Sequence, residues 1–121
     1  MSLVLSVRDV REEDRPTVGG KAFALALMSQ RNMAVPPALC VTTEAYDAYL
    51  ASSGLRERIL MELNRKAFKD MRWEELWDAA LRIENLFLKT PLPPELYETL
   101  YTSIEDTFRD KAVVARSSAL G

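Results

Sequence analysis

Apolar residues recur along most of this chain at intervals of three and four, the spacing that gathers side chains on one face of a helix. The pattern predicts five helices, which begin near Gly20, Thr43, Leu55, Asp70 and Glu95. Proline and glycine clusters separate several of these segments and predict the turns between them. Most of the chain is therefore expected to be helical.

Each predicted helix has an apolar face that should pack in a core. In the first helix, Phe23 and Leu27 share that face with Ala24 and Met28. In the fourth, the two tryptophans recur at helical spacing and are expected to anchor the helix in the core rather than to bind a cofactor. The clearest stripe belongs to the last helix and consists of Leu96, Leu100, Ile104 and Phe108.

Three short apolar runs interrupt the helical pattern and predict strands. They cover residues 3–7, 38–41 and 112–116. Pro36 and Pro37 precede the second run, and consecutive prolines forbid a helix and enforce an extended chain. The predicted fold class is α/β (α+β), helix-rich with a small sheet.

Length and composition are those of one ordinary globular domain, with 121 residues, 48% hydrophobic and 28% charged. The formal net charge of −2 gives no broad basic surface. Nonspecific binding to nucleic acid depends on such a surface, so no nucleic-acid partner is expected. Any anion site must be local.

The chain contains one cysteine and no histidine. This excludes an internal disulfide, a Cys/His zinc cluster, a Ser-His-Asp triad and a phosphohistidine on this chain. Cys40 lies in an apolar run and is expected to be a small buried residue. The sequence has no segment typical of a membrane span or a signal peptide, so a cytoplasmic protein is expected.

A glycine pair followed by a lysine, Gly19-Gly20-Lys21, opens the first predicted helix. Glycines allow close approach of the backbone, and the N–H groups and positive dipole at a helix start suit a phosphate. Lys21 would add an ammonium group beside the same anion. The alternative is a flexible turn followed by a solvated lysine, because short glycine motifs often occur by chance.

A second candidate motif follows the last predicted strand, at Arg116-Ser117-Ser118. Ligands of open α/β sheets gather beyond the carboxyl ends of strands, which favours an anion near Arg116. A guanidinium can bind two phosphate oxygens, and the serine hydroxyls can donate to the same group. The alternative is a surface arginine at a strand end. We expect Lys21 and Arg116 to face a common pocket.

Taken together and in order, four motifs carry a family resemblance. They are 18–22 (Val-Gly-Gly-Lys-Ala), 35–46 (from Val-Pro-Pro to Thr-Thr-Glu-Ala-Tyr), 91–96 (Pro-Leu-Pro-Pro-Glu-Leu) and 114–118 (Val-Ala-Arg-Ser-Ser). The chain resembles the N-terminal nucleotide-binding region of the phosphoenolpyruvate synthase and pyruvate phosphate dikinase family. The match covers nearly all of residues 1–121, which the resemblance implies to be one partial domain of a longer enzyme.

The resemblance implies an ATP-grasp type fold that binds ATP with Mg²⁺ and phosphorylates a histidine on a separate mobile domain, which passes the phosphate to pyruvate at a distant domain. It assigns ATP phosphate contacts, and hence catalytic roles, to Lys21 and Arg116. Gly19, Gly20, Ser117 and Ser118 complete the expected nucleotide-binding set. Metal ligands, the phosphohistidine and the pyruvate site are expected elsewhere in the parent, so the 121 residues alone should be inactive.

Two departures from the family pattern leave alternatives open. Ala38 and Leu39 follow the proline pair where the family usually has glycine and an aromatic residue, and the sequence reads Leu120-Gly121 where an acidic pair is usual. The final phosphate acceptor therefore stays open between pyruvate, an antibiotic and a glucan. The alternative function is a helical interaction or regulatory module without catalysis. An unpaired outer strand would favour self-association.

Overall fold

The computed structural model describes residues 2–120, which form two compact units. One unit contains the chain up to Asp47 and again from Pro94 onward, and the other is Ala48–Pro93. The five predicted helices are confirmed within these residues. The elements are β1 Val4–Ser6, α1 Arg15–Gln30, β2 Leu39–Val41, α2 Thr43–Ser53, α3 Leu55–Leu63, α4 Trp73–Lys89 and α5 Pro94–Phe108.

The sheet of the first unit has two antiparallel strands instead of the expected three. β1 pairs with β2 in a register that places Leu5 opposite Cys40. The third predicted strand, residues 112–116, is wrong, because this segment has no regular secondary structure. A strand requires a neighbour for its N–H and C=O groups, and β1 and β2 pair only with each other in the described chain. Self-association through an outer strand stays a prediction.

The core of the first unit lies between α1, the sheet and the turn at Val7–Asp9. The predicted buried face of α1 is partly wrong, since Phe23 is buried while Leu27 and Met28 are each 37% exposed. The helix instead turns its small residues inward, and these allow close packing on β2. The buried cluster consists of Val7, Val10, Val18, Ala22, Phe23, Ala26 and Cys40.

Local sequence signals define the helix ends of this region well. Thr42 is buried, and its backbone carbonyl and hydroxyl both accept from the N–H of Ala45, so it caps α2. Asn32, just after α1, has a left-handed φ of +61°, a conformation that asparagine adopts more readily than most residues. Gly54 ends α2 with φ +73°. In these places short-range chemistry is sufficient to determine the backbone.

The second unit is built on the contact between α3 and α4. Leu55 at the start of α3 is fully buried, and Ala79 lies on the packed side of α4. Glu62 of α3 pairs with Arg82 of α4 at 2.7 Å. The hydroxyl of Tyr49 donates to the backbone oxygen of Thr90 at 2.8 Å.

The prediction that both tryptophans anchor α4 in the core is wrong. Trp73 is 70% and Trp77 is 58% exposed, and their rings stack on each other with centroids 5.6 Å apart. Helical periodicity identifies an apolar stripe but cannot say which stripe faces a neighbour. In α4 the small Ala79 is the buried residue, Leu76, Ile83 and Phe87 are partly buried, and the two tryptophans remain at the surface. None of the helices in residues 2–120 has the length and apolar character needed to cross a membrane.

Candidate functional site

The glycine pair lies at a sharp break inside α1. Gly19 has φ +82° and ψ 172°, a backbone conformation reserved almost entirely for glycine. The uninterrupted part of the helix therefore begins at Gly20, as the sequence predicts. Gly19 is buried next to Val18, so the break sits directly on the core of the first unit.

The start of this uninterrupted helix is capped by residues from the far end of the chain. The N–H of Gly20 donates to the backbone oxygen of Ala119 at 3.0 Å, and the N–H of Ala22 donates to Ser118 Oγ at 3.3 Å. An N-cap side chain normally provides the second bond, but Gly19 occupies that position and has no side chain. Ser118 thus supplies the missing cap oxygen. We call the contacts of Ser118 and Ala119 with Gly19, Gly20 and Ala22 the clasp.

The clasp corrects one expectation about the glycine pair. The N–H groups at this helix start were expected to face outward toward a phosphate, yet those of Gly20 and Ala22 are bonded to the protein's own chain. The close approach that Gly19 permits is also made by protein atoms. A Cβ added at Gly19 would lie 2.6 Å from the backbone oxygen of Ser118. The glycine pair therefore joins two parts of the chain.

Strand β2 contacts the helix break in α1 through Cys40. Cys40 Sγ lies 3.8 Å from the backbone oxygen of Val18 and donates to it. Burial raises the pKa of the Cys40 thiol, which keeps it protonated and unreactive. The expectation of a small buried residue at Cys40 is confirmed, since it is 8% exposed.

The clasp brings the two predicted cationic motifs into the same region of the first unit. Lys21 lies between the two residues whose N–H groups are bonded, and Arg116 is two residues before Ser118. Two residues of chain span at most about 7 Å between Cα atoms. Lys21, Arg116 and Ser117 are exposed, and in the described residues no ion pair or hydrogen bond engages the Lys21 or Arg116 side chain.

A distinct cleft of the same unit lies away from these residues. It has a volume of about 430 Å³ and is lined by Arg8, Pro37 and Asp106 among others. None of the six predicted nucleotide-binding residues lines it. Across residues 2–120, no group of three Asp, Glu or Cys side chains is arranged to hold a metal ion.

Sequence reasoning missed the role of Ala119, which acts through its backbone oxygen. No side-chain pattern signals such a contact. It also missed that the Ser118 hydroxyl caps α1, because the two partners are 96 positions apart. The only available signal was the glycine at the N-cap position, where a side-chain acceptor is usually preferred.

Comparison with known proteins places the sequence in one family. Residues 15–121 match the family described as pyruvate phosphate dikinase, AMP/ATP-binding domain. The chain is 30% identical over 126 residues to a phosphoenolpyruvate synthase of Aeropyrum pernix, a match covering 97% of this chain and 15% of the relative. The Escherichia coli phosphoenolpyruvate synthase is 28% identical over 124 residues, again covering 97% and 15%.

A third relative, the phosphoenolpyruvate synthase of Neisseria meningitidis, is 34% identical over 97 residues. That match covers 77% of this chain and 12% of the relative. The chain thus spans about 15% or less of the length of these curated relatives.

Proposed function

Because the chain belongs to the pyruvate phosphate dikinase AMP/ATP-binding domain family, we propose that it binds the phosphates of ATP with Lys21 and Arg116. It would do so as the nucleotide-binding part of a phosphotransferase similar to phosphoenolpyruvate synthase. The observation that carries the proposal is the clasp. Through it, Ser118 and Ala119, which follow the Arg116 motif, are bonded to the residues on either side of Lys21.

The chemistry of the two side chains supports this assignment. ATP carries several negative charges on closely spaced oxygens, and transfer of its terminal phosphoryl group needs mainly positioning and charge stabilisation. The Arg116 guanidinium can hold two phosphate oxygens at once, while the Lys21 ammonium acts as a compact charge. Both side chains are exposed and unpaired in residues 2–120, so binding would not require breaking an ion pair.

The site would be built mostly from side chains. Since the clasp occupies the N–H groups of Gly20 and Ala22, the phosphate contacts would come from the two cations and the Ser117 hydroxyl. Gly19, Gly20 and Ser118 would contribute by holding those groups in place. The adenine end of the nucleotide would contact other parts of the parent protein.

The remaining steps of the reaction would take place outside this chain. It contains no histidine, so a phosphohistidine would belong to another domain, as would the site for pyruvate or another acceptor. Magnesium would be bound by residues elsewhere, and no step here depends on it. This sequence would then be one partial domain of an ATP-grasp type fold, inactive alone and cytoplasmic.

The test is an equilibrium titration of the chain with ATP and with AMP by calorimetry. Lys21→Ala and Arg116→Ala are each expected to weaken ATP binding about 10- to 100-fold, the range for losing a hydrogen bond to a charged group. AMP binding should change much less, because AMP lacks the two outer phosphates. Lys89→Ala and Arg58→Ala remove exposed charges of the second unit and serve as matched controls.

The proposal is contradicted if all four variants bind ATP as the unsubstituted chain does. It is equally contradicted if the chain shows no binding at millimolar ATP. A loss of affinity shared by the two control variants would indicate a general electrostatic effect and would also count against a local phosphate site.

One observation favours the second candidate, a helical interaction module without catalysis. Three large apolar side chains of α4, Trp73, Trp77 and Leu88, are 58–76% exposed to solvent. Large exposed apolar groups are typical of contact surfaces. This candidate predicts that ATP does not change the thermal unfolding of the chain. It also predicts that Lys21→Ala and Arg116→Ala have only the small effects of surface substitutions.

A further inference from the structure

The clasp supplies the first recorded hydrogen bonds between the segment carrying Arg116 and the rest of the described chain, residues 2–120, after the end of α5. After the end of α5, the chain from 112 to 117 is exposed and forms no regular structure. Lys111 is still tied to the helix end by a backbone bond to Phe108 at 3.0 Å. Beyond it, the next hydrogen bonds in the described residues are those of Ser118 and Ala119 with α1. Arg116 therefore depends on the clasp for its position.

Gly19 is the residue that makes the clasp sterically feasible. A Cβ at this position would lie 2.6 Å from both Ser118 oxygens, Oγ and the backbone oxygen, and 2.7 Å from the Ala119 oxygen. These distances are far below ordinary contact, and the obstacle includes backbone atoms that cannot rotate away. At Gly20, by contrast, nothing lies within 4 Å of an added Cβ. The two adjacent glycines thus have different roles.

We propose that Gly19 and Ser118 are positioning residues that hold Arg116 beside Lys21, so that both cations engage one polyphosphate. This deepens the proposed function and rests on it. When the clasp is closed, Ser118 Oγ and the Ala119 oxygen fix the end of the 112–117 segment on α1. When the clasp opens, Arg116 is attached only through a flexible chain. Binding must then order that chain, and the entropic cost of doing so cancels the contribution of Arg116 to ATP affinity.

The clasp also explains why a cap oxygen comes from a distant residue. A serine at position 19 would cap the helix locally but would remove the contact with the 118–119 backbone. By leaving the cap to Ser118, the chain makes the start of α1 more stable when the Arg116 segment is docked. Helix formation and placement of the cation are in this way coupled.

The test combines ATP titration with a double-mutant cycle between Ser118 and Arg116. Ser118→Ala is expected to weaken ATP binding roughly 5- to 10-fold, and Ser118→Thr, which keeps the acceptor oxygen, should restore most of it. In a chain that already carries Ser118→Ala, Arg116→Ala should weaken ATP binding less than about threefold, whereas in the unsubstituted chain it should weaken it tenfold or more. Ser103→Ala, in α5, is the matched control with unchanged affinity.

Gly19→Ala should also open the clasp, and it should therefore weaken ATP binding as Ser118→Ala does. Gly54→Ala is its control, because Gly54 also has a positive φ of +73° but lies in the other unit with open space around it. Amide hydrogen exchange of Ala22 reads the clasp directly. Its protection should fall in Ser118→Ala and stay unchanged in Ser103→Ala.

The outcomes separate the two proposals. If Arg116→Ala weakens ATP binding while Ser118→Ala and Gly19→Ala do not, or if the Ser118 and Arg116 effects simply add, the positioning role is refuted and ATP binding stands. If Lys21→Ala and Arg116→Ala leave ATP binding unchanged, both proposals fall, whatever the exchange at Ala22 shows.

Discussion

Replacement of Gly19 by alanine should destabilise the first unit, whereas the same change at the adjacent Gly20 should not. Gly19 has φ +82° and ψ 172°, where an L-residue is strained by about 1–3 kcal/mol. The new methyl would also overlap three oxygen atoms of Ser118 and Ala119 at 2.6–2.7 Å. The clasp must then open.

The cost can be worked out from these contacts. Opening the clasp removes two hydrogen bonds, worth about 1 kcal/mol each, and the backbone strain remains. The expected loss for Gly19→Ala is therefore about 3–5 kcal/mol. Gly20 has no positive φ and no atom near a new Cβ, and alanine is favoured over glycine in helices by up to about 1 kcal/mol. The two neighbouring substitutions should differ in sign.

Urea unfolding followed by circular dichroism gives the overall change in the free energy of unfolding. Hydrogen exchange at the amide of Ala26, a fully buried residue of α1, reports the first unit specifically. Ser118→Ala should cost about 1 kcal/mol alone and almost nothing in the Gly19→Ala background, since the bond is already lost. A Gly19→Ala chain as stable as the Gly20→Ala chain would refute the strained turn and the clasp.

Two further predictions concern the second unit. The pKa of Glu75 is lowered from 4.5 to about 2, chiefly by a hydrogen bond from Lys66 Nζ at 3.0 Å and then by hydrogen bonds from Arg72. The stabilisation from this group should be complete above about pH 4.5 and lost as the pH falls toward 2. A carboxyl titration by NMR checks this, and a Lys66→Met chain with an unchanged midpoint would argue against it. The fluorescence of the exposed Trp73 and Trp77 should be quenched by acrylamide as efficiently as that of free indole. Trp77→Ala should lower the free energy of unfolding by less than about 1 kcal/mol. Strong shielding of both tryptophans from acrylamide would contradict their exposure.

Some features of this fold depend on neighbours along the chain, and these were predictable. Thr42 caps α2 and Gly54 ends it because the required atoms are within a few residues. The five helices follow from periodicity for the same reason. The two motifs proposed to bind phosphate were also recognisable in the sequence, since the residue types that suit phosphate are themselves the signal.

Other features depend on which surfaces meet, and there prediction failed. The apolar 112–116 segment has the composition of a strand but no neighbouring strand in residues 2–120, so it does not form one. α4 has apolar side chains on more than one side, and the small Ala79 rather than the tryptophans lies on the packed side. The N–H groups of Gly20 and Ala22 are bonded by the chain's own residues 118 and 119, which no local pattern signals.

The amino-acid sequence alone determined the helices, their ends, the family and the two cations suited to a polyphosphate, because each of these is set by residue type and short spacing. Only the tertiary structure decided that residue 118 caps a helix starting at residue 20. That bond joins groups 96 positions apart, and its existence depends on the absence of a single Cβ atom at Gly19.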